Sequence, residues 1–181
     1  DQEYDGPVQI GAWGGSSVTL TSNEGSIYFD STVDSRGPNG YWSGNASDLT
    51  VIAAGEVRFR DTVGGNRILN SLYVEAGDRI VLRNDVTTIG DQEYDGPVQI
   101  GAWGGNSVTL TSNEGSIYFD STVDSHGPNG YWNGNASDLS VIAAGEVKFY
   151  DTVGGNRILN SLYVQAGDRI VLYSDVNTKY D

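Results

Sequence analysis

The chain has 181 residues and carries 24 Asp and Glu against 10 Lys and Arg, a formal net charge of -14. Such a surface repels phosphate backbones and anionic lipid, which argues against nucleic acid or membrane surfaces as electrostatic partners. There is no Cys, so a disulfide scaffold is excluded, and no apolar run approaches the length of a bilayer span.

Two stretches, Asp1 to Val86 and Asp91 to Val176, align without a gap and differ at nine positions. A gap-free duplication of this kind marks a repeat array, which offers length or a repeated surface rather than one asymmetric catalytic site. The chain therefore divides into repeat unit 1, residues 1–90, and repeat unit 2, residues 91–181. With 25 Gly, only 4 Pro and abundant Val, Ile, Leu, Tyr, Thr and Ser, both units read as short strands joined by turns. An all-β fold follows.

In chain order, a first Trp-bearing insertion, Ala12-Trp13-Gly14-Gly15, precedes three segments of one pattern. Gly25 to Val33 leads to Leu49-Thr50-Val51, Gly55 to Val63 leads to Leu72-Tyr73-Val74, and Gly77 to Val86 leads to Val98-Gln99-Ile100 and Val108-Thr109-Leu110. The segments cover residues 25–54, 55–76 and 77–114. A recurring strand motif with unequal connections suits a solenoid of about three coils per unit, because insertions bulge from a corner while stacked strands keep register. Alternation in Val57-Arg58-Phe59-Arg60 and Ile80-Val81-Leu82-Arg83 sends the first and third side chains to the core and the others to water. Ile27, Phe29, Val57, Phe59, Ile80 and Leu82 are thus expected to share one core. Arg67 to Val74 is the one place where apolar spacing suits a helical turn, and Gly64-Gly65 argues for a loop and then a strand.

The copies differ at Arg60/Tyr150 and Arg83/Tyr173, the same place in consecutive segments. If those segments stack as parallel coils, each pair lies one strand spacing apart on the outer face, about 4.8 Å. Two Tyr can then stack, and Asp30 flanks Arg60. The alternative is two tandem antiparallel β-sandwich domains, since ninety residues is also an immunoglobulin-like size. The short join Val86 to Asp91 and the internal threefold pattern favour the solenoid.

Little in the chain points to catalysis. The only His, His126, replaces Arg36 of the first unit, so no Ser-His-Asp set recurs in both copies. Asp30, Asp34, Asp61 and Asp85 could cluster along a corner for glycosidase-type work, but Asp at a strand end commonly bonds nearby backbone. No metal or cofactor is implied. The bends lack the EF-hand and calcium β-roll spacings and leave room only for incidental calcium. The best binding candidates are Tyr41, Trp42, Tyr131 and Trp132, set among Gly, Asn and Ser, where rings could stack on a glycan or anchor a receptor. Folding back over their own insertion is the plainer role for these rings. The chain opens in repeat phase at Asp1-Gln2-Glu3-Tyr4 without a Met, which predicts a piece of a longer protein with flanking repeats.

Five phrases carry a resemblance. They are Ile-Tyr-Phe-Asp-Ser-Thr-Val-Asp (27–34), Asp-Leu-Thr-Val-Ile-Ala-Ala-Gly (48–55), Val-Arg-Phe-Arg-Asp-Thr-Val-Gly-Gly (57–65), Ser-Leu-Tyr-Val-Glu-Ala-Gly (71–77) and Asp-Val-Thr-Thr (85–88). They resemble the repeat regions of large secreted bacterial exoproteins of the filamentous-haemagglutinin-like type, over nearly the whole chain. The resemblance implies a right-handed parallel β-helix forming the shaft of an extracellular or cell-surface adhesin, and it brings no catalytic residues. This chain departs from that style at its Trp-bearing insertions. A non-enzymatic spacer is the expected function, with a multivalent glycan-binding module and a carbohydrate-active β-helix enzyme as alternatives.

Overall fold

The structure, a computed structural model, describes residues 1–12, 15–36, 46–101, 105–126 and 136–180. Among these residues every regular element is a strand and every strand pairing is parallel. Antiparallel sandwiches do not accommodate that pattern. Parallel neighbours require long crossovers rather than hairpins, and here each crossover is made by strands of two other sheets.

The first sheet has six strands in the order Gln2–Tyr4, Ile27–Phe29, Glu56–Phe59, Arg79–Leu82, Val98–Ile100 and Val123–Ser125, and bridges continue it from Val123 to Val153 and Val176. The second sheet starts with Val8–Ile10 and Val33–Ser35. It continues through bridges at Val63 to Val86–Thr88, Ser107–Ser112, Asp138–Ala143 and Ser161–Ala166. The third runs through Ser17–Ser22, Asp48–Ala53, Leu72–Ala76, Gln92–Asp95, Ile117–Phe119, Val147–Phe149 and Ile170–Leu172. The chain visits first, second and third sheet in strict rotation, so each circuit lays one level on the last.

The expected register holds at its centre. Ile27 pairs with Val57 and Val57 with Ile80, while Phe29 pairs with Phe59 and Phe59 with Leu82. All six side chains are buried in one hydrophobic cluster fed by all three sheets. Inside it, Phe29 stacks between Tyr4 and Phe59 with ring centroids 5.1 and 4.8 Å apart. Tyr94, Phe119 and Phe149 repeat the stack at 5.3 and 4.7 Å. The segment from Arg67 to Val74 is loop and then strand, as the Gly pair suggests. Gly64 has a φ of 71°, and a Cβ there would lie 2.2 Å from the carbonyl oxygen of Thr87. Only Gly fits that approach between levels.

Three readings need correction. Gly25 to Val33 is not one strand: Ile27–Phe29 and Val33–Ser35 belong to different sheets, with a bend at Ser31 and Thr32. Val81 is buried rather than wet, because Arg58 and Gln99 flank it in register with longer side chains. The third segment, 77–114, is not a single coil, since Arg79–Leu82 and Val98–Ile100 inside it are already register partners. The hidden strand is Gln92–Asp95. Its inward residues are polar: buried Tyr94 donates its hydroxyl to Gln92 Oε1, and Gln92 Nε2 donates to Thr88 Oγ1 and to the carbonyl of Thr111. Together these bonds satisfy side chains that would otherwise be costly to bury.

Each unit therefore occupies eleven sheet positions, ten strands and the bridge at Val63 in the first copy, rather than nine. Eleven is not a multiple of three. Duplicate residues consequently sit in different sheets: Ile27–Phe29 lies in the first and its copy Ile117–Phe119 in the third, while Ser17–Ser22 lies in the third and Ser107–Ser112 in the second. A unit advances three and two-thirds circuits, and the second copy is turned by a third of a circuit against the first.

On the outer face, Arg60 Nη1 bonds Asp30 Oδ2 at 2.9 Å, and Tyr150 stacks on Tyr173 at 4.9 Å with 5° between the planes. Both readings of the paired substitutions hold. Tyr150→Ala and Tyr173→Ala should show a coupling of roughly 0.2–1 kcal/mol in a double-mutant cycle, the usual range for cross-strand aromatic pairs. Strictly additive effects in chemical denaturation would contradict it.

Candidate functional site

In the first unit, the chain leaves the second sheet after Ile10, Ser35 and Val63 and enters the third at Ser17, Asp48 and Leu72, at three consecutive levels. These exits and entries share one corner. Ser47 donates its backbone N–H to Ser35 Oγ at 2.8 Å, which closes the neck of the longest loop, and its own Oγ accepts from Ser16 N at 3.3 Å. The carboxylate of Asp34, buried beside that neck, accepts from Asn66 N, Asn66 Nδ2 and Arg67 N at 3.0, 3.1 and 3.0 Å and so binds the next loop. Asp48 accepts from Ser17 Oγ, Asn70 Nδ2 and Ser71 Oγ at 2.9, 2.6 and 2.6 Å. Burial works against the charge of Asp48, but these three bonds prevail and hold its carboxyl below the ordinary range.

The second unit repeats the arrangement through Ser125, Ser137, Asp124 and Asp138 at the corner between the first and second sheets. Bonds from Ser161 and Asn160 lower the Asp138 carboxyl likewise. His126 stands where the first unit has Arg36. Its Nδ1 is 2.9 Å from Gln99 Oε1, and burial together with the positive charges of Arg83, Arg157 and Arg79 favours the neutral ring.

Tyr41, Trp42, Tyr131 and Trp132 lie outside the described residues, as do Trp13 and Trp103. What is described is their footing. Two Trp-bearing insertions of each unit start side by side, tied through one Ser hydroxyl and a bonded Asp on either side. Sequence reasoning marked the insertions and weighed Asp34 only for acid–base work, and it missed Ser35, Ser47 and Asp48, because short polar residues at a bend give no periodic signal.

Of the aspartates considered for acid–base work, each is already engaged by a hydrogen-bond donor. Asp61 accepts from Thr62 N at 2.7 Å, as a turn residue does, Asp85 accepts from Thr109 N of the neighbouring strand at 2.7 Å, and Asp30 meets Arg60. Glu3, Asp5 and Asp30 form an acidic cluster at the surface whose carboxylate oxygens lie within 4.8 Å of one another. Arg60 already answers Asp30 there. In the second unit Tyr150 replaces that Arg. Burial and repulsion from Asp120, Asp95 and Asp91 raise the carboxyl of Glu93, burial and Asp95 raise that of Asp120, and Tyr73 nearby is pushed up to about 12 by burial and by Asp95 and Glu75.

Compared with protein-family models, with curated proteins and with solved structures, the chain matches none.

Proposed function

We propose that this chain is a segment of a right-handed parallel β-helix that serves as the non-enzymatic shaft or spacer of a secreted or cell-surface bacterial adhesin. The observation that carries the reading is the junction between the copies. Val98 pairs with Ile80, Ile100 with Leu82 and Leu110 with Val86, and all six side chains are buried as fully as those within a copy. Copies that join without a seam add length and nothing else. Right-handed winding is the expectation for parallel crossovers, which take that hand in about 98% of cases. The acidic composition suits a solvated exterior, and the resemblance to filamentous-haemagglutinin-like repeats points the same way.

A second reading, multivalent glycan binding through Tyr41, Trp42, Tyr131 and Trp132, is supported by the paired footing of the insertions. The third-turn offset sets the footings at Ser47 and Ser137 at different corners of the sheets.

The test uses chains of one, two and four units in small-angle scattering, together with a glycan-array screen of the Trp42→Ala, Trp132→Ala double variant. A shaft lengthens by three and two-thirds strand spacings, about 18 Å, per added unit. Growth in all dimensions would refute the shaft. Glycan retention that the double variant loses would instead favour the binding module.

A further inference from the structure

We infer that the basic outer face of the first sheet is a lateral docking surface for the acidic outer face of the third sheet on a second copy of this chain. Both faces belong to interior levels of the stack. The chain has only 10 Lys and Arg, yet four of those Arg sit on or just after two neighbouring strands, Arg58 and Arg60 with Glu56–Phe59, Arg79 and Arg83 with Arg79–Leu82. Phe59 pairs with Leu82, so Arg60 and Arg83 follow one strand spacing apart. Three of these cations are answered, since Arg58 and Arg79 share Glu56 and Arg60 meets Asp30. Arg83 is not. Among the described residues no ion pair reaches it, its Nε is buried without a hydrogen-bond partner, and burial and the like charges of Arg58 and Arg60 outweigh the pull of Glu56 and Asp30.

The third sheet presents the converse. Glu75 pairs in register with Asp95, and Asp120 follows Phe119, the partner of Tyr94, so three exposed carboxylates rise along consecutive levels. Among the described residues no ion pair reaches them either. Along the stack, Glu56–Phe59 shares its level with Leu72–Ala76, and Arg79–Leu82 shares the next with Gln92–Asp95. Two solenoids set side by side, parallel and unstaggered, therefore bring Arg60 to the height of Glu75 and Arg83 to that of Asp95, on ladders with the same spacing of about 4.8 Å. The differences between the repeat units agree with this pairing: Arg60, Arg83 and Glu75 become Tyr150, Tyr173 and Gln165, so Arg60 and Glu75 lose their charges together. Exposed ion pairs are individually weak, which makes the contact one of low affinity. It is also heterologous, leaving one face of each kind free for further copies.

Sedimentation equilibrium on the whole chain tests this in about 0.1 M salt, where charges more than about 10 Å apart are screened and net repulsion between copies is muted. The weight-average mass should rise with concentration, with half-association at about 1 mM or below, and return toward the monomer in about 1 M salt. Arg83→Glu should weaken association at least about tenfold. Asp95→Arg should do the same, although it lowers the net negative charge and would promote association if net charge alone governed it. The double variant Arg83→Glu, Asp95→Arg keeps the net charge of the unaltered chain and should regain association, because the reversed pair is complementary again. Circular dichroism should be alike for all these chains, since both side chains lie on the outer face. A monomer up to about 1 mM, association indifferent to Arg83→Glu, or a double variant no better than the single ones would overturn the proposal. So would a monomer that retains polygalacturonate and loses it on Arg83→Glu, which would give the face to an acidic glycan instead.

Discussion

Cut after Gly90, the first unit alone is expected to unfold at least about 10 °C below the whole chain, at dilutions where copies do not associate. The cut uncovers Leu72, Val74, Ile80, Leu82 and Val86, all buried in the intact chain. Their duplicates at the open end show how much surface returns to water: near half of each side chain at Ile170 and Leu172. Full burial of such a side chain contributes about 1.5–3 kcal/mol, so the lost junction costs on the order of 5 kcal/mol. Nearest-neighbour coupling of this kind is how stacked repeats gain stability. Thermal melts of residues 1–90 and of the whole chain decide the matter. Equal melting temperatures would mean that the copies fold independently and that the shared core contributes nothing across the junction.

Phe119→Ala is expected to destabilise the chain by roughly 3–5 kcal/mol, the usual cost of emptying a buried aromatic site. Its ring is wholly buried and lies between Tyr94 at 5.3 Å and Phe149 at 4.7 Å, with levels on both sides that prevent collapse into the cavity. Phe29→Ala makes the same change at the duplicate position. There Tyr4 belongs to the first level and is only half-buried, so the end can relax, and the cost should be smaller by about 1 kcal/mol or more. Chemical denaturation of the two variants measures the difference. If identical residues in identical local sequence cost the same, position in the stack has no energetic weight.

How much of this was legible beforehand can be judged residue by residue. The alternation of Val57, Arg58, Phe59 and Arg60 was enough to place two side chains inside and two outside, because a strand has only two faces. The paired changes at Arg60 and Arg83 were enough to make them neighbours, since side chains that face each other across one spacing vary together. The Trp-bearing insertions stood out as breaks in the strand rhythm. Gln92–Asp95 did not read as a strand, because its inward Gln and Tyr satisfy each other only after folding has brought Thr88 and Thr111 beside them. Val81 looked exposed by periodicity and became buried through the reach of Arg58 and Gln99, which are distant in sequence but flank it in register. Nor could local sequence say that the loops at Ser16, Ser47 and Asn66 share a corner, since the bonds that gather them join successive levels.

The third-turn offset between the copies is the clearest case. Ile27 and Ile117 have the same neighbours in sequence yet lie in different sheets. Periodicity by itself marked Ile27, Phe29, Val57, Phe59, Ile80 and Leu82 as inward-facing, whereas the eleven sheet positions of a unit emerged only in the fold. Only stacking decided which sheet each strand joins, because every strand takes its place from the level beneath it, and eleven positions laid around three sheets carry the next copy to a new side.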